Sequence, residues 1–224
     1  MAYDDSEKTL QARARLAGFL FLAVNALYIV SLLASAAGPE EIRRGAVAFQ
    51  AIASAATIAM AWAFYELLKP AGHGLALMAL LFRVAEAALY GVTAIFSLLL
   101  LSRVGASTPG LDETTLALVA RARFASVYVG TIYFCAGSGI FFYLLIKGRF
   151  IPRAFAALGL VATIVSFASA FAEIGAPAFG RYLAFSGPLL LAAETATGAW
   201  LLIAGARSRH TQLSDLRDAP GYPV

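Results

Sequence analysis

Long runs of apolar residues, each bounded by charged residues or by glycine and proline, account for most of the chain. Each run matches or exceeds the roughly 20 residues that an α-helix needs to cross a hydrocarbon core of about 30 Å. In lipid, backbone polar groups are satisfied only in helices or closed barrels, and the runs lack the alternation of barrel strands. The pattern therefore predicts an all-α, polytopic transmembrane helix bundle of about six spans.

The residues between the apolar runs set the predicted boundaries of the spans. The first run ends at Gly38 and Pro39, and the second ends at Lys69 and Pro70. The predicted helices cover residues 15–37, 45–68, 74–104, 112–146, 151–174 and 181–206. The first turns of the fourth helix are too polar for lipid, so its span proper begins at about Phe124. Residues 1–14 form a cytoplasmic N-terminal segment in this prediction, and residues 207–224 form a cytoplasmic, disordered tail.

Lysine and arginine residues near the span ends predict the orientation of the bundle. Cytoplasmic loops of membrane proteins carry an excess of these two residues. With the N-terminus in the cytoplasm, that side holds the basic clusters around Lys8, Lys147 and Arg207. The opposite side holds fewer basic residues, among them Arg43 and Arg121. Both termini are therefore predicted to be cytoplasmic.

The composition agrees with a membrane protein and argues against several classes of function. Hydrophobic residues make up 61% of the chain and charged residues 13%, whereas soluble domains have roughly half and a quarter. The net charge of +4 comes from residues that separate apolar runs and form no basic patch with interleaved aromatics, so no nucleic-acid partner is predicted. The single cysteine, Cys135, excludes an intrachain disulfide framework and a cysteine-rich metal site.

Three ionisable residues lie deep within the predicted spans. At 1.5 Å per residue from the helix ends, Arg83 lies about 14 Å deep, Glu86 about 18 Å and Glu194 about 20 Å. An ionisable residue near the bilayer centre costs about 2.5–3.5 kcal/mol on insertion scales, so it usually faces the bundle interior and marks a candidate site. We therefore expect these three side chains to meet near the midplane.

Other polar residues extend this group along helical faces. In the third span Arg83, Glu86 and Tyr90 are three and four residues apart, which places them on one face. Polar residues recur at similar spacings in other spans, and together they predict a polar interior. The candidates for a ligand site or a charge network are Arg83, Glu86, Glu194, Tyr90, Asn25, Tyr133 and Thr197.

A structural interpretation of these residues stays open beside the functional one. Arg83 and Glu86 can pair within one helix at i, i+3, and small residues such as serine and threonine permit close helix packing. Glu194 favours a functional role, because one arginine cannot neutralise two carboxylates. One of the two carboxylates would then be protonated or would bind a ligand.

Motifs that signal catalysis are missing from the sequence. His73 and His210 have neither paired spacing nor an acidic partner motif, so no metal site and no metal-dependent hydrolase is predicted. Residues 137–139, Gly-Ser-Gly, are too short a match for a nucleophile elbow and are better explained as a site of close helix packing. No glycine-rich phosphate loop follows a predicted strand, and no cofactor is predicted.

Four segments resemble a known family. They are residues 15–20 (Arg-Leu-Ala-Gly-Phe-Leu), 65–70 (Tyr-Glu-Leu-Leu-Lys-Pro), 80–87 (Leu-Leu-Phe-Arg-Val-Ala-Glu-Ala) and 148–153 (Gly-Arg-Phe-Ile-Pro-Arg). In these segments the chain, from about Arg15 to about Ala206, resembles the bacterial membrane family catalogued as domain of unknown function 4386. The resemblance implies a multi-helix bacterial membrane protein and supplies no catalytic residues. The predicted location is the bacterial inner membrane.

The sequence supports three hypotheses about function. The first is a non-enzymatic membrane protein whose polar interior binds a small molecule or a lipid, for sensing or for assembly with a second copy or another membrane partner. The second is a small proton-coupled transporter in which Glu86 or Glu194 titrates. The third is an intramembrane enzyme, which the missing motifs disfavour.

Overall fold

The computed structural model describes residues 2–36, 39–101, 112–176 and 185–207, and nearly all of them are helical. The helices are α1 (Ala2–Ala36), α2 (Glu40–Leu101), α3 (Glu113–Lys147), α4 (Arg153–Gly175) and α5 (Ser186–Ile203). All five described helices are long and apolar enough to cross a membrane. This confirms the predicted all-α architecture of apolar, membrane-spanning helices.

The longest helix, α2, is interrupted at Gly72. This glycine has non-helical dihedral angles, φ 174° and ψ 93°, and follows Pro70, which cannot donate a helical hydrogen bond. The Ser54 hydroxyl donates a hydrogen bond to the carbonyl oxygen of Ala87, although a straight helix would hold these residues about 50 Å apart. Residues 40–71, the first limb of α2, and residues 73–101, the second limb, therefore pack side by side.

Most predicted helix boundaries lie within a few residues of the described ones. The predicted helices 45–68 and 74–104 correspond to the two limbs of α2. α1 begins at Ala2, well before the predicted residue 15, because most residues from Glu7 to Ala14 are good helix formers. Parts of the predicted elements lie outside the described residues, namely residues 37, 102–104, 181–184 and the tail from 208 onward.

The helices are arranged in a ring. α1 packs against α2 and α5, α2 packs against α3, and α4 packs against both α3 and α5. The contact that closes the ring joins α1 to α5: a Cβ atom added to Gly18 would lie 2.6 Å from the carbonyl oxygen of Gly198 and 2.6 Å from the backbone nitrogen of Leu202. Small residues permit such a close approach of two helix backbones.

The first and last helices meet at one end of the bundle, which we call the terminal end. The Gln11 side chain donates a hydrogen bond to the Ala206 carbonyl oxygen at 2.7 Å and accepts one from the Ala206 backbone nitrogen at 3.1 Å. The turn between α3 and α4 lies beside them, because the backbone nitrogen of Arg207 donates to the carbonyl oxygen of Phe150 at 2.8 Å. The opposite end, where α1 gives way to α2 and α4 ends, is the distal end.

Apolar side chains fill the terminal half of the bundle. The Phe64 ring lies between Phe21, at a centroid distance of 5.1 Å, and Phe141, at 4.9 Å. Met60 and Leu145 are buried in the same cluster. Outward-facing leucines and isoleucines stay exposed, as expected for a surface that contacts lipid. Buried polar side chains lie at the middle of the bundle and in its distal half, for example Glu86, Thr93 and Ser97.

Candidate functional site: a charged cavity among the helices

Arg83, on the second limb of α2, is the centre of the polar cluster. It is 2% exposed, and its Nη1 atom lies 3.0 Å from Oε2 of Glu86 in an ion pair. Nη1 also donates a hydrogen bond to the Ser138 hydroxyl on α3 at 3.1 Å. The guanidinium carbon lies 4.7 Å from the ring centroid of Phe134, within range of a cation–π contact. Arg83 is therefore held by two helices.

Ser138 connects this arginine to the second carboxylate. Its hydroxyl donates a hydrogen bond to Oε1 of Glu194 on α5 at 3.4 Å, while it accepts from Arg83. A hydroxyl can do both because it carries one donor and two acceptor positions. Three helices thus bring Arg83, Ser138 and Glu194 into one hydrogen-bonded chain, and Glu194 is only 3% exposed.

The register between α2 and α3 explains why Arg83 can reach this position. A Cβ atom at Gly137 would lie 2.9 Å from Cγ and Cδ of Arg83, and one at Gly130 would lie 2.8 Å from the Tyr90 ring. The glycines are seven residues apart, as are Arg83 and Tyr90, so the two helices run antiparallel with glycine opposite each large side chain. The absence of side chains at these positions makes space for the polar cluster.

The cluster forms part of the wall of a central cavity of about 430 Å³ that all five helices line. This volume is within the range of small-molecule sites. The polar wall includes Asn25, Tyr28, Arg83, Glu86, Tyr90 and Glu194. Val24, Phe134 and Leu190 contribute apolar surface. The cavity extends toward the distal end, where Glu173 of α4 and Ser186 of α5 line it.

Several buried polar atoms on this wall complete no hydrogen bond with the described residues. They are Nδ2 of Asn25, the hydroxyl oxygen of Tyr28, Nε of Arg83 and Oε2 of Glu86. The last of these has only its ion-pair contact. The Asn25 amide lies beside the Glu194 carboxyl group without completing that bond. Leaving a buried polar group unsatisfied costs about 1–3 kcal/mol. The wall therefore offers both donors and acceptors to a molecule in the cavity.

The polar cluster on the cavity wall contains more acidic groups than basic ones. The single guanidinium of Arg83 lies among two carboxyl groups, those of Glu86 and Glu194, and all three are buried. A buried charge is tolerated when it is paired and hydrogen-bonded. With both carboxyl groups ionised, the cluster carries one negative charge that Arg83 does not balance, so it favours a proton or a cationic group.

The structure brings most of the candidate residues together. Arg83, Glu86, Glu194, Tyr90 and Asn25 all line the central cavity. Thr197 lies one turn from Glu194 and is fully buried, and its hydroxyl completes no hydrogen bond with the described residues. It is outside the cavity wall.

Tyr133 is not brought to the other candidates. It is 36% exposed and its ring packs against Phe82 with centroids 6.1 Å apart. The adjacent residue, Phe134, faces Arg83 instead. Neighbouring residues on a helix point about 100° apart, so a small difference in the rotation of α3 decides which of them faces the cavity.

Sequence reasoning missed the roles of Ser138 and Phe134. It had identified residues 137–139 as a close-packing site, which the contact of Gly137 with Arg83 bears out, but it did not connect Ser138 to the charged residues. One feature of the sequence indicates that α3 packs against the charged residues. Gly130 and Gly137 on α3 share the seven-residue spacing of Arg83 and Tyr90 on α2.

Five apolar helices of spanning length around a buried charged cavity define a multi-pass membrane protein. The chain belongs to the family described as Domain of unknown function (DUF4386), whose model matches residues 16–205. This confirms the resemblance found in the sequence, and the matched range contains the whole wall of the central cavity. No curated protein and no solved structure matches the chain.

Proposed function

We propose that this protein crosses a bacterial inner membrane six times and binds a small amphipathic molecule in the central cavity, serving sensing or assembly with a partner without catalysis. The observation that carries the proposal is that two buried carboxyl groups, those of Glu86 and Glu194, outnumber the guanidinium of Arg83 on one wall of this cavity.

The fold of α2 supports six crossings. Each limb of α2 is longer than the ~20 residues of a single span, and the limbs pack antiparallel around the break at Gly72. Gln11 and Ala206 contact each other at the terminal end, so the chain enters and leaves the bundle on the same side. This contact supports an even number of crossings, and the basic residues near this end, such as Lys147, favour the cytoplasm for both termini.

The walls of the cavity support an amphipathic ligand. Val24, Phe134 and Leu190 offer apolar contacts for a hydrocarbon body. Glu86 and Glu194 outnumber Arg83, so the polar group that fits best is a cation or a strong hydrogen-bond donor. A primary amine on a short alkyl chain has this chemistry.

Ligand binding is tested with purified protein in two measurements. Native mass spectrometry would detect a molecule that copurifies with the protein. In thermal-shift assays, hexylamine, hexanol and hexanoate compare three head groups on the same chain. We expect hexylamine to raise the melting temperature most and hexanoate least. The response to hexylamine should be lost in Glu86→Gln and Glu194→Gln and kept in Glu113→Gln, a control on the exposed first turn of α3.

Other outcomes of these measurements count against the proposal. A protein that copurifies with nothing and responds to none of the three probes would not be a binder of small amphipathic molecules. Equal responses to all three probes in every variant would place their binding outside the charged wall.

Proton-coupled transport is the second candidate. The observation that favours it is that the cavity leads from the charged cluster toward the distal end, while apolar side chains such as Phe64 and Leu145 fill the terminal half. A binding site open toward one side of the membrane is a state that an alternating-access transporter passes through. Flux into proteoliposomes that is the same for the native protein and for Glu194→Gln would contradict this candidate.

A further inference from the structure

A second cavity, of about 380 Å³, lies at the distal end between α1, both limbs of α2 and the first turns of α3. We call it the distal cavity. Arg43 and Arg123 line it together with the hydroxyl groups of Ser31, Ser35 and Ser97. None of the described residues that line it is acidic. Its chemistry is therefore opposite to that of the central cavity, where carboxylates are in excess.

The two arginines reach the distal cavity from different helices. Arg123, on α3, donates a hydrogen bond through Nε to the Ser97 hydroxyl at 2.8 Å, which fixes the direction of its guanidinium. That bond uses one of the five N–H donors of the group. Arg43 lies near the start of α2. The same helix begins with two acidic residues, Glu40 and Glu41. Glu40 pairs with Arg44 at 2.7 Å, and neither glutamate lines the distal cavity.

The predicted span boundaries place the distal cavity at the level of lipid head groups. Arg43 comes two residues before the apolar run that starts at residue 45, and Arg123 directly precedes the fourth span proper. Apolar side chains also line this cavity, among them Leu32, Val47 and Leu100. Leu32 is 68% exposed on the outside of the bundle, so this wall is continuous with the lipid-facing surface.

We propose that the distal cavity binds a phosphate ester, with its phosphate between Arg43 and Arg123. Guanidinium groups bind phosphate through two parallel hydrogen bonds. The apolar wall suits the start of acyl chains, so we expect the phosphate to be that of a phospholipid. The same chemistry would accept a soluble phosphate ester, and the experiment separates the two sources.

The site is independent of the ligand proposed for the central cavity. The two cavities share only Tyr28 and Gln50 among their lining residues, and neither arginine of the distal cavity belongs to the charged cluster. Loss of phosphate binding would leave the response of the central cavity to alkylamines unchanged. The two proposals can therefore fail separately.

The experiment measures retention of phosphatidylglycerol by native mass spectrometry. The test protein carries Arg43→Gln and Arg123→Gln, and the matched control carries Arg121→Gln and Arg153→Gln, two exposed arginines outside the distal cavity. We expect the test protein to retain about tenfold less lipid and the control to retain as much as the native protein, since tenfold in affinity is about the energy of one charged hydrogen bond.

Further measurements show whether the bound phosphate belongs to a lipid or to a soluble ester, and they control for misfolding. Diacylglycerol, which has the chains without the phosphate, should not compete, whereas competition by sn-glycerol 3-phosphate would assign the site to a soluble phosphate ester. The single variant Arg43→Gln, which changes an exposed side chain, replaces the double variant should the latter not fold. Equal lipid retention by the test and control proteins, or equal binding of diacylglycerol, would overturn the proposal.

Discussion

The methylene groups of Arg83 on α2 pack against Gly137 on α3, where a Cβ atom would lie 2.9 Å from both Cγ and Cδ. Beyond this contact the guanidinium group is 3.0 Å from Glu86 and 3.1 Å from the Ser138 hydroxyl. The glycine is therefore part of the site, because its lack of a side chain lets the arginine pass between the two helices.

Alanine at this glycine is expected to disturb the charged cluster. In Gly137→Ala the new methyl group would push the anchored Arg83 side chain, and such overpacking typically costs about 1–3 kcal/mol. Gly139→Ala is the matched control two residues away, since its Cβ atom would make only an ordinary contact, 3.6 Å from Thr163. We expect a lower melting temperature in detergent for Gly137→Ala alone. Equal melting temperatures for the two variants would show that Arg83 adjusts freely.

Removing the charge of Arg83 is expected to destabilise the protein strongly. Arg83→Leu leaves the carboxyl groups of Glu86 and Glu194 buried without their cation, and deleting one partner of a buried pair typically costs about 3–5 kcal/mol. Adding Glu194→Gln should restore part of the loss because it removes one of the orphaned charges. Thermal unfolding of the two single variants and the double variant measures the coupling, with exposed Arg121→Leu as the control. Strictly additive losses would mean that the link through Ser138 has no energetic role.

The contact between α1 and α5 is expected to be sensitive to a single methyl group. In Gly18→Ala the Cβ atom would lie 2.6 Å from backbone atoms of α5, which can give way only if the two helices separate. We expect a lower melting temperature and faster proteolysis near Gln11, which bonds to Ala206 across the same pair of helices. Gly45→Ala, whose Cβ atom would contact nothing within 4 Å, should be neutral or slightly stabilising. Native stability in Gly18→Ala would argue against a closed ring.

Cysteine labelling in intact cells tests the six-span topology. In a Cys135→Ser background, single cysteines replace Glu113, at the distal start of α3, and Lys147, at its terminal end, both exposed. A membrane-impermeant maleimide added outside the cell should label the first position only, because the terminal end is expected to face the cytoplasm. Labelling at position 147 alone would reverse the orientation.

The sequence by itself determined the helices and the main candidates for the site. Continuous apolar runs can satisfy their backbone in lipid only as helices, so α3 and α4 were predicted within two residues of their described ends. Pro70 and Gly72 marked the break in α2, because neither proline nor glycine favours a continuing helix. The helical period placed Arg83, Glu86 and Tyr90 on one face, and all three line the central cavity.

Only the tertiary structure decided how these helices face one another. Spacing along a chain does not set the rotation of one helix against the next, so Phe134 rather than Tyr133 faces Arg83. The bridge through Ser138 depends on three helices meeting at one level, and the distal cavity depends on Arg43 and Arg123 lining the same space although they are far apart in sequence. Such contacts follow from packing many side chains at once, and small residues such as Gly137 matter there through the space that they leave.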